Sequence, residues 1–113
     1  MPSTARDWML TISAEKHTQQ DVEELLDVLG TYIFQQEEGG KTDYPHFQAF
    51  LQLQTPVRME TLKNKFKKAG FNDAHIEMRK GTVQDCVDYC SKEETRVDGP
   101  WRGGRSEEHT SEL

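Results

Sequence analysis

The fold is decided by the stretch Pro45-His46-Phe47-Gln48-Ala49-Phe50-Leu51-Gln52-Leu53. Side chains of a β-strand point alternately to its two faces, so this stretch divides into two sets. One set is wholly apolar and comprises Phe47, Ala49, Leu51 and Leu53. The other set comprises His46, Gln48, Phe50 and Gln52. We therefore predict a strand with one face in the core and an opposite face that carries polar groups.

Hydrophobic periods of two and of 3.6 residues take turns along the rest of the chain. Further strands are predicted over 8–13, 31–37 and 74–79. Helices are predicted over 18–29, 62–69 and 82–93, and a glycine loop over 38–43. The order β-α-β-β-α-β-α predicts an α+β fold of the ferredoxin-like split βαβ type. We expect the helices to cover one face of an antiparallel sheet and to leave the polar face open.

Length and composition bound the class of protein. The 113 residues suffice for one compact domain, and 34% hydrophobic residues exclude a disordered chain. We place one domain over 1–101 and a polar, flexible tail over 102–113, because Asp98-Gly99-Pro100-Trp101 interrupts regular structure. No apolar run reaches the roughly 18 residues of a membrane span, and the first residues lack the apolar core of a signal peptide. We therefore expect neither secretion nor membrane association.

Charge is distributed unevenly. The net charge is −6, but residues 44–80 carry seven basic and three acidic side chains. Several of the basic residues, including Lys63 and Lys67, fall on the second predicted helix. Such a patch can bind a phosphate backbone locally, and it can equally be the solvated face of a helix.

The polar face of the sheet carries a candidate metal site. His46 and Gln48 lie two residues apart on one strand and can aim a ring nitrogen and a carboxamide oxygen at one point. Glu37 of the neighbouring strand can add a carboxylate, whereas Glu38 takes its place if a bulge shifts the strand by one residue. This mixed set suits Mg²⁺ or Mn²⁺ better than zinc. A His-x-Gln pair on an exposed face is, however, often only solvated.

The third predicted helix adds a tyrosine and a lysine. Its buried stripe comprises Val83, Cys86, Val87 and Cys90. Tyr89 lies on the flank of that stripe, and Lys92 lies nearly one turn later. The pair is compatible with ordinary packing beside a surface charge, and also with a phenolic nucleophile assisted by a cation. The two cysteines are too far apart on a helix for a relaxed disulfide, which favours a reducing compartment.

Together these motifs resemble the origin-nicking domain of HUH-superfamily replication initiators, in particular the Rep proteins of small circular single-stranded DNA viruses. Trp-Met-Leu-Thr-Ile-Ser at 8–13 is similar to the first family motif, with Ser13 where many relatives have Asn. Pro-His-Phe-Gln at 45–48 resembles the second motif in its viral form. Tyr-Cys-Ser-Lys at 89–92 fits the third. The resemblance covers residues 6–101.

The resemblance implies an endonuclease and strand transferase. Tyr89 would be the nucleophile that forms a 5′-phosphotyrosine, Lys92 would assist it, and Glu37, His46 and Gln48 would hold Mn²⁺ or Mg²⁺. The substrate would be single-stranded DNA at the stem-loop of a viral origin, in the host nucleus. The DNA-binding residues expected on the sheet and the second helix are Thr11, Ser13, Phe50, Lys63, Lys67, His75 and Arg79.

Two further expectations concern the rest of the protein and a competing function. Family members usually continue into an oligomerising helicase domain, and no nucleotide-binding loop is present in this sequence. We therefore expect this domain to be monomeric and the full-length protein to be oligomeric. The alternative function is a non-catalytic RNA- or single-strand-binding module with the topology of an RNA-recognition motif, and a protein-interaction domain ranks below it.

Overall fold

The computed structural model describes residues 3–39 and 42–104. Its strands are β1 (Thr4–Ser13), β2 (Gly30–Gly39), β3 (Thr42–Arg58), β4 (His75–Met78) and β5 (Arg96–Gly104). Its helices are α1 (Gln19–Leu29), α2 (Met59–Lys68) and α3 (Val83–Tyr89). The strands form one sheet in the order β4-β1-β3-β2-β5, with every neighbouring pair antiparallel. The predicted ferredoxin-like α+β fold is confirmed.

Local signals in the sequence explain where the helices begin. The Thr18 hydroxyl accepts a hydrogen bond from the backbone N–H of Asp21 at the start of α1. At the start of α3, Thr82 and Asp85 form a reciprocal capping box. Helix α1 is followed directly by Gly30, the first residue of β2. A Cβ at this position would lie 2.1 Å from the carbonyl oxygen of Gln52 on β3. The close approach of β2 to β3 therefore requires glycine at this position.

Helices α1 and α2 cover one face of the sheet. Their apolar residues pack on the alternating apolar residues of β1 and β3, as the period-two pattern predicts. The fully buried side chains of this cluster include Trp8, Leu10, Phe34, Leu51 and Leu62. This cluster is the main core of the domain.

Helix α3 lies on the opposite face, which corrects the expectation that all helices share one face. Cys86, Val87 and Cys90 pack against Ile33 and Phe50 in a second, smaller cluster. Ile33 and Phe50 are cross-strand partners of β2 and β3, so they form one apolar spot on the polar face. The helix also ends at Tyr89, four residues before the predicted end. Because α3 packs on Ile33 and Phe50, Tyr89 at its end lies next to the polar side chains of this face.

The region after Arg96 corrects a second expectation. β5 spans the stretch that was predicted to lack regular structure and pairs with β2 through Thr31 to Glu37. Trp101 packs on Phe34 with ring centroids 5.0 Å apart, which ties β5 to the main core. Pro100 is tolerated because β5 is an edge strand, where a missing N–H need not break a ladder. Residues 102–104 of the predicted tail therefore belong to β5, and residues 105–113 lie outside the described part of the chain.

Candidate functional site

Three polar side chains lie side by side on the face of the sheet that carries α3. Glu37 pairs with His46 across β2 and β3, and Gln48 lies two residues further along β3. Their exposed fractions are 2%, 5% and 7%, respectively. Buried polar groups of this kind require partners, so the contacts of each decide what the site can do.

The Glu37 carboxylate has a different set of partners on each oxygen. Oε1 lies 3.4 Å from His46 Nε2 and 3.6 Å from Lys92 Nζ. Oε2 accepts a hydrogen bond of 2.9 Å from the Gln35 amide. Burial alone would raise the pKa of Glu37, but the hydrogen bonds from His46 and Gln35 and the charge of Lys92 lower it below its usual value. Glu37 is therefore a carboxylate at neutral pH.

The His46 ring is oriented by a backbone group. Its Nδ1 lies 3.3 Å from the carbonyl oxygen of Tyr44, which can only accept, so Nδ1 is the donor in this contact. Nε2 then faces Glu37. The hydrogen bond to Glu37 raises the pKa of His46, and burial opposes this shift. A ring held through one nitrogen by a backbone carbonyl is the usual arrangement of a metal-ligating histidine.

The Gln48 carboxamide is also fixed at both ends. Its Nε2 donates to the carbonyl oxygen of Leu10 at 3.0 Å, and its Oε1 accepts from the Thr11 hydroxyl at 3.3 Å. Because the Leu10 carbonyl can only accept, the identity of the two carboxamide atoms follows from the contacts. The oxygen, which has a second lone pair, remains available as a ligand.

The donor set fits a hard divalent cation. Within residues 3–39 and 42–104, no three His, Cys, Asp or Glu side chains cluster as a ligand set, so the site depends on the Gln48 carboxamide as its third donor. A carboxylate oxygen, a carboxamide oxygen and one imidazole nitrogen match Mg²⁺ or Mn²⁺, which prefer oxygen ligands. Without thiolates or further imidazoles, the set does not favour zinc.

Tyr89 and Lys92 lie beside this set. Tyr89 is at the last position of α3 and is 39% exposed. Lys92 Nζ lies 3.9 Å from the centroid of the Tyr89 ring and 3.6 Å from Glu37 Oε1. The ammonium group thus bridges the tyrosine of α3 and the carboxylate of β2.

A cleft of about 940 Å³ connects these groups. Its lining includes all five predicted catalytic and metal-binding residues, which are Glu37, His46, Gln48, Tyr89 and Lys92. Tyr44 lies at the same cleft and is 41% exposed. A cleft of this volume is large enough for a nucleotide-sized ligand.

The predicted DNA-binding residues of the sheet fall in different places. Thr11 and His75 line the cleft, and His75 Nε2 lies 2.7 Å from a Glu77 oxygen. The Ser13 hydroxyl accepts a hydrogen bond from the backbone of Glu15 and so supports a turn. Arg79 Nε is 3.0 Å from an Asp7 oxygen, and this ion pair holds its guanidinium at the sheet edge.

Phe50 is the clearest correction among the predicted DNA-binding residues. It was expected to stack on bases from an open face, but it is completely buried under α3. The same burial weakens the RNA-recognition alternative, which depends on an exposed aromatic side chain on the third strand. Lys63 and Lys67 are exposed on α2, which covers the other face of the sheet. The structure therefore does not bring these lysines to the cleft.

The pairing of β2 with β3 decides which of the two adjacent glutamates faces His46. Between Gly30 and Glu37 the pairing of β2 with β3 is regular, so the structure brings Glu37, and not the exposed Glu38, to His46. Metal binding by Glu37 itself stays a prediction.

Cys86 and Cys90 are free and buried, and burial raises the pKa of both thiols. Alternation along β2 places Gln35 on the same face as Glu37, and its contact with Glu37 was not predicted.

Fold and site together define an α+β domain in which a candidate divalent-metal site adjoins a tyrosine and a lysine on one face of the sheet. The family model described as "Putative viral replication protein" matches residues 5–93. The chain belongs to this family. No helix within residues 3–39 and 42–104 is both long and apolar enough to cross a membrane.

Similar curated proteins come from plant viruses and their satellites. The chain is 38% identical over 73 residues to Para-Rep C1 of Faba bean necrotic yellows C1 alphasatellite, covering 65% of this chain and 24% of that protein. It is 34% identical over 73 residues to the master replication protein of Banana bunchy top virus, with the same coverage of 65% and 24%. It is 32% identical over 79 residues to the master replication protein of Milk vetch dwarf virus, covering 70% and 26%. The chain thus spans about a quarter of the length of these relatives.

Proposed function

We propose that this chain is the nicking and joining domain of a viral replication initiator. It would cleave single-stranded DNA at the viral origin through a covalent 5′-phosphotyrosine intermediate. One observation carries the proposal. Strands β2 and β3, helix α3 and the segment after α3 bring a carboxylate, an imidazole, a half-exposed tyrosine and an ammonium group together at one cleft.

In the proposed reaction, the Tyr89 oxygen attacks the phosphorus of the scissile phosphodiester. A bond forms between phosphorus and the phenolic oxygen, and the bond from phosphorus to the 3′ oxygen breaks. The phenolic proton is lost, and the leaving 3′ oxygen gains a proton to become a free hydroxyl. Because one phosphodiester replaces another, attack by a 3′-hydroxyl on the phosphotyrosine reverses the step and joins two strands. Exposure of Tyr89 at the cleft leaves the phenol accessible to DNA.

Lys92 would favour the negative charge that develops on the phenolic oxygen and on the phosphate. Its ammonium group lies 3.9 Å from the centroid of the Tyr89 ring, so its positive charge is close to the phenol. Glu37, His46 and Gln48 would hold Mn²⁺ or Mg²⁺. When bound there, the cation supplies Lewis-acid stabilisation of the non-bridging phosphate oxygens.

The substrate, the site of action and the oligomeric state that we propose are drawn from the family resemblance. The substrate would be the single-stranded region of an origin stem-loop, and the site of action would be the host nucleus. Oligomerisation of the full-length protein would depend on residues outside this domain.

The proposal is tested by incubating the protein with Mn²⁺ and a labelled single-stranded origin oligonucleotide. We expect a nicked product and a covalent protein–DNA adduct that is stable in denaturing gel electrophoresis. Tyr89→Phe should abolish both while leaving DNA binding intact. Tyr44→Phe is the matched control, because Tyr44 has nearly the same exposure and lines the same cleft. Binding of the oligonucleotide without any adduct would favour the non-catalytic alternative.

A further inference from the structure

Gln35 is a fully buried residue on the site face to which the proposed chemistry assigns no role. It lies on β2 between Ile33 and Glu37 on that face and pairs with Gln48 of β3. A buried carboxamide is expected to use its polar atoms, so its contacts indicate why this residue is present.

The Gln35 amide donates two hydrogen bonds, each 2.9 Å long. One goes to Glu37 Oε2, and the other goes to the backbone carbonyl oxygen of Lys92. The first bond leaves Glu37 Oε1 as the oxygen that faces His46 and Lys92 Nζ. The second bond ties the segment after α3, which carries Lys92, to the strand that carries Glu37.

The other end of the carboxamide has no such support. Gln35 Oε1 is buried and lacks a hydrogen-bond partner among the described residues. An orphaned buried acceptor is destabilising, and its cost offsets part of what the two donated bonds contribute to stability. An apolar side chain of similar size would remove this orphaned acceptor but would leave Glu37 Oε2 and the Lys92 carbonyl without the amide that donates to them. The presence of glutamine here is better explained by the two groups that its amide orients.

We propose that Gln35 is a positioning residue that selects the ligand oxygen of Glu37 and fixes the Tyr89–Lys92 segment relative to the metal ligands. This inference rests on the proposed function. Partners of metal ligands typically contribute 10–100-fold to affinity or activity because they orient the ligand. Gln35 differs from an ordinary partner because the same amide also orients the segment that carries the nucleophile.

The test compares Gln35→Met with Gln36→Met. Methionine keeps the approximate volume of glutamine and removes both donors. Gln36 is the matched control, because it is the next residue on β2 and pairs with core residue Phe47, so its side chain points to the other face. Three quantities are measured for each variant: the melting temperature, the Mn²⁺ dissociation constant by calorimetry without DNA, and the single-turnover nicking rate at saturating DNA and Mn²⁺.

We expect Gln35→Met to remain folded, with a lowered melting temperature because Glu37 Oε2 and the Lys92 carbonyl lose their donor. Its Mn²⁺ dissociation constant should rise about 10-fold or more, and its nicking rate should fall about 10-fold or more, while the DNA dissociation constant stays within about 2-fold. Gln36→Met should leave the Mn²⁺ dissociation constant and the rate unchanged. Unchanged metal affinity and rate in a folded Gln35→Met protein would overturn the inference.

A second variant separates a positioning role of Gln35 from a role in fold stability, and the wild type separates failure of this inference from failure of the proposed function. Gln35→Leu also lacks the donors, and failure of both Gln35 variants to fold would assign Gln35 to fold stability and overturn the positioning role. If the wild type binds Mn²⁺ but does not nick DNA, the proposed function fails, and the metal titration alone then decides whether Gln35 orients Glu37.

Discussion

Replacement of Glu37 by glutamine is the sharpest test of the candidate metal site. The substitution keeps the shape of the side chain and removes its charge, whereas Glu38→Gln makes the same change on the next, exposed residue. Glu37 is 2% exposed, so solvent screens its interactions little. We expect Glu37→Gln to raise the Mn²⁺ concentration for half-maximal nicking by about 10-fold or more, and Glu38→Gln to leave it unchanged.

The magnitude follows from the charges that meet at Glu37 Oε1. Two unit charges 4 Å apart interact by about 4 kcal/mol at an effective dielectric constant of 20. A divalent cation that contacts the carboxylate at shorter range interacts more strongly with it. Loss of the carboxylate also ends its pairing with Lys92 and His46, and release of these partners offsets part of the effect. A net loss of about 1.4 kcal/mol already corresponds to 10-fold.

The assay is an Mn²⁺ titration of nicking at saturating DNA, with circular dichroism to show that each variant is folded. A larger shift for Glu38→Gln than for Glu37→Gln would contradict the register of β2 against β3. No shift for either variant would remove Glu37 from the ligand set.

Three further predictions concern a catalytic residue, the buried aromatic residue and an ion pair. Lys92→Ala should slow nicking of bound DNA while single-strand binding changes by only a few fold, and the reverse pattern in rate and binding assays would make Lys92 a backbone contact. Phe50→Ala should destabilise the domain by about 3 kcal/mol or more in denaturant unfolding, because Phe50 is buried under α3; reduced DNA affinity at unchanged stability would instead support base stacking. Asp73→Asn should cost about 1 kcal/mol or less at pH 6, because the hydrogen bond from His17, 3.0 Å away, lowers the pKa of this partly exposed carboxyl. The lowered pKa of Asp73 stabilises the fold at pH values above about 3.9, the usual pKa of an aspartate, and this stabilisation is lost as the pH falls through the lowered pKa. The difference in unfolding free energy between the wild type and Asp73→Asn should therefore disappear in acid.

The alternation of side chains was enough to predict the polar face. Period two placed Glu37, His46 and Gln48 on one side of adjacent strands, and the regular pairing from Gly30 to Glu37 keeps them there. The ferredoxin-like order followed from the same periodicities. These features depend on local pattern, which a single sequence contains.

The position of α3 and the existence of β5 depend on tertiary contacts instead. Ile33 and Phe50 are apolar residues on the polar face, but only their pairing across β2 and β3 makes them one spot for α3 to cover. β5 is held by pairing with β2 and by the packing of Trp101 on Phe34, which outweigh the turn-forming tendency of Gly99-Pro100. The dual contact of Gln35 likewise joins residues 57 positions apart, and no local pattern indicates it.

The most direct test of the account is to identify the tyrosine that is linked to DNA. The chain has three tyrosines, and trypsin cleavage after Lys and Arg places each in a different peptide: Tyr32 in 17–41, Tyr44 in 42–58 and Tyr89 in 81–92. The protein is incubated with single-stranded origin DNA and Mn²⁺, digested with nuclease and trypsin, and analysed by mass spectrometry. We predict a nucleotide attached through phosphate to Tyr89 in peptide 81–92. Attachment to Tyr32 or Tyr44, or a nicked product without any modified tyrosine, would contradict the central claim.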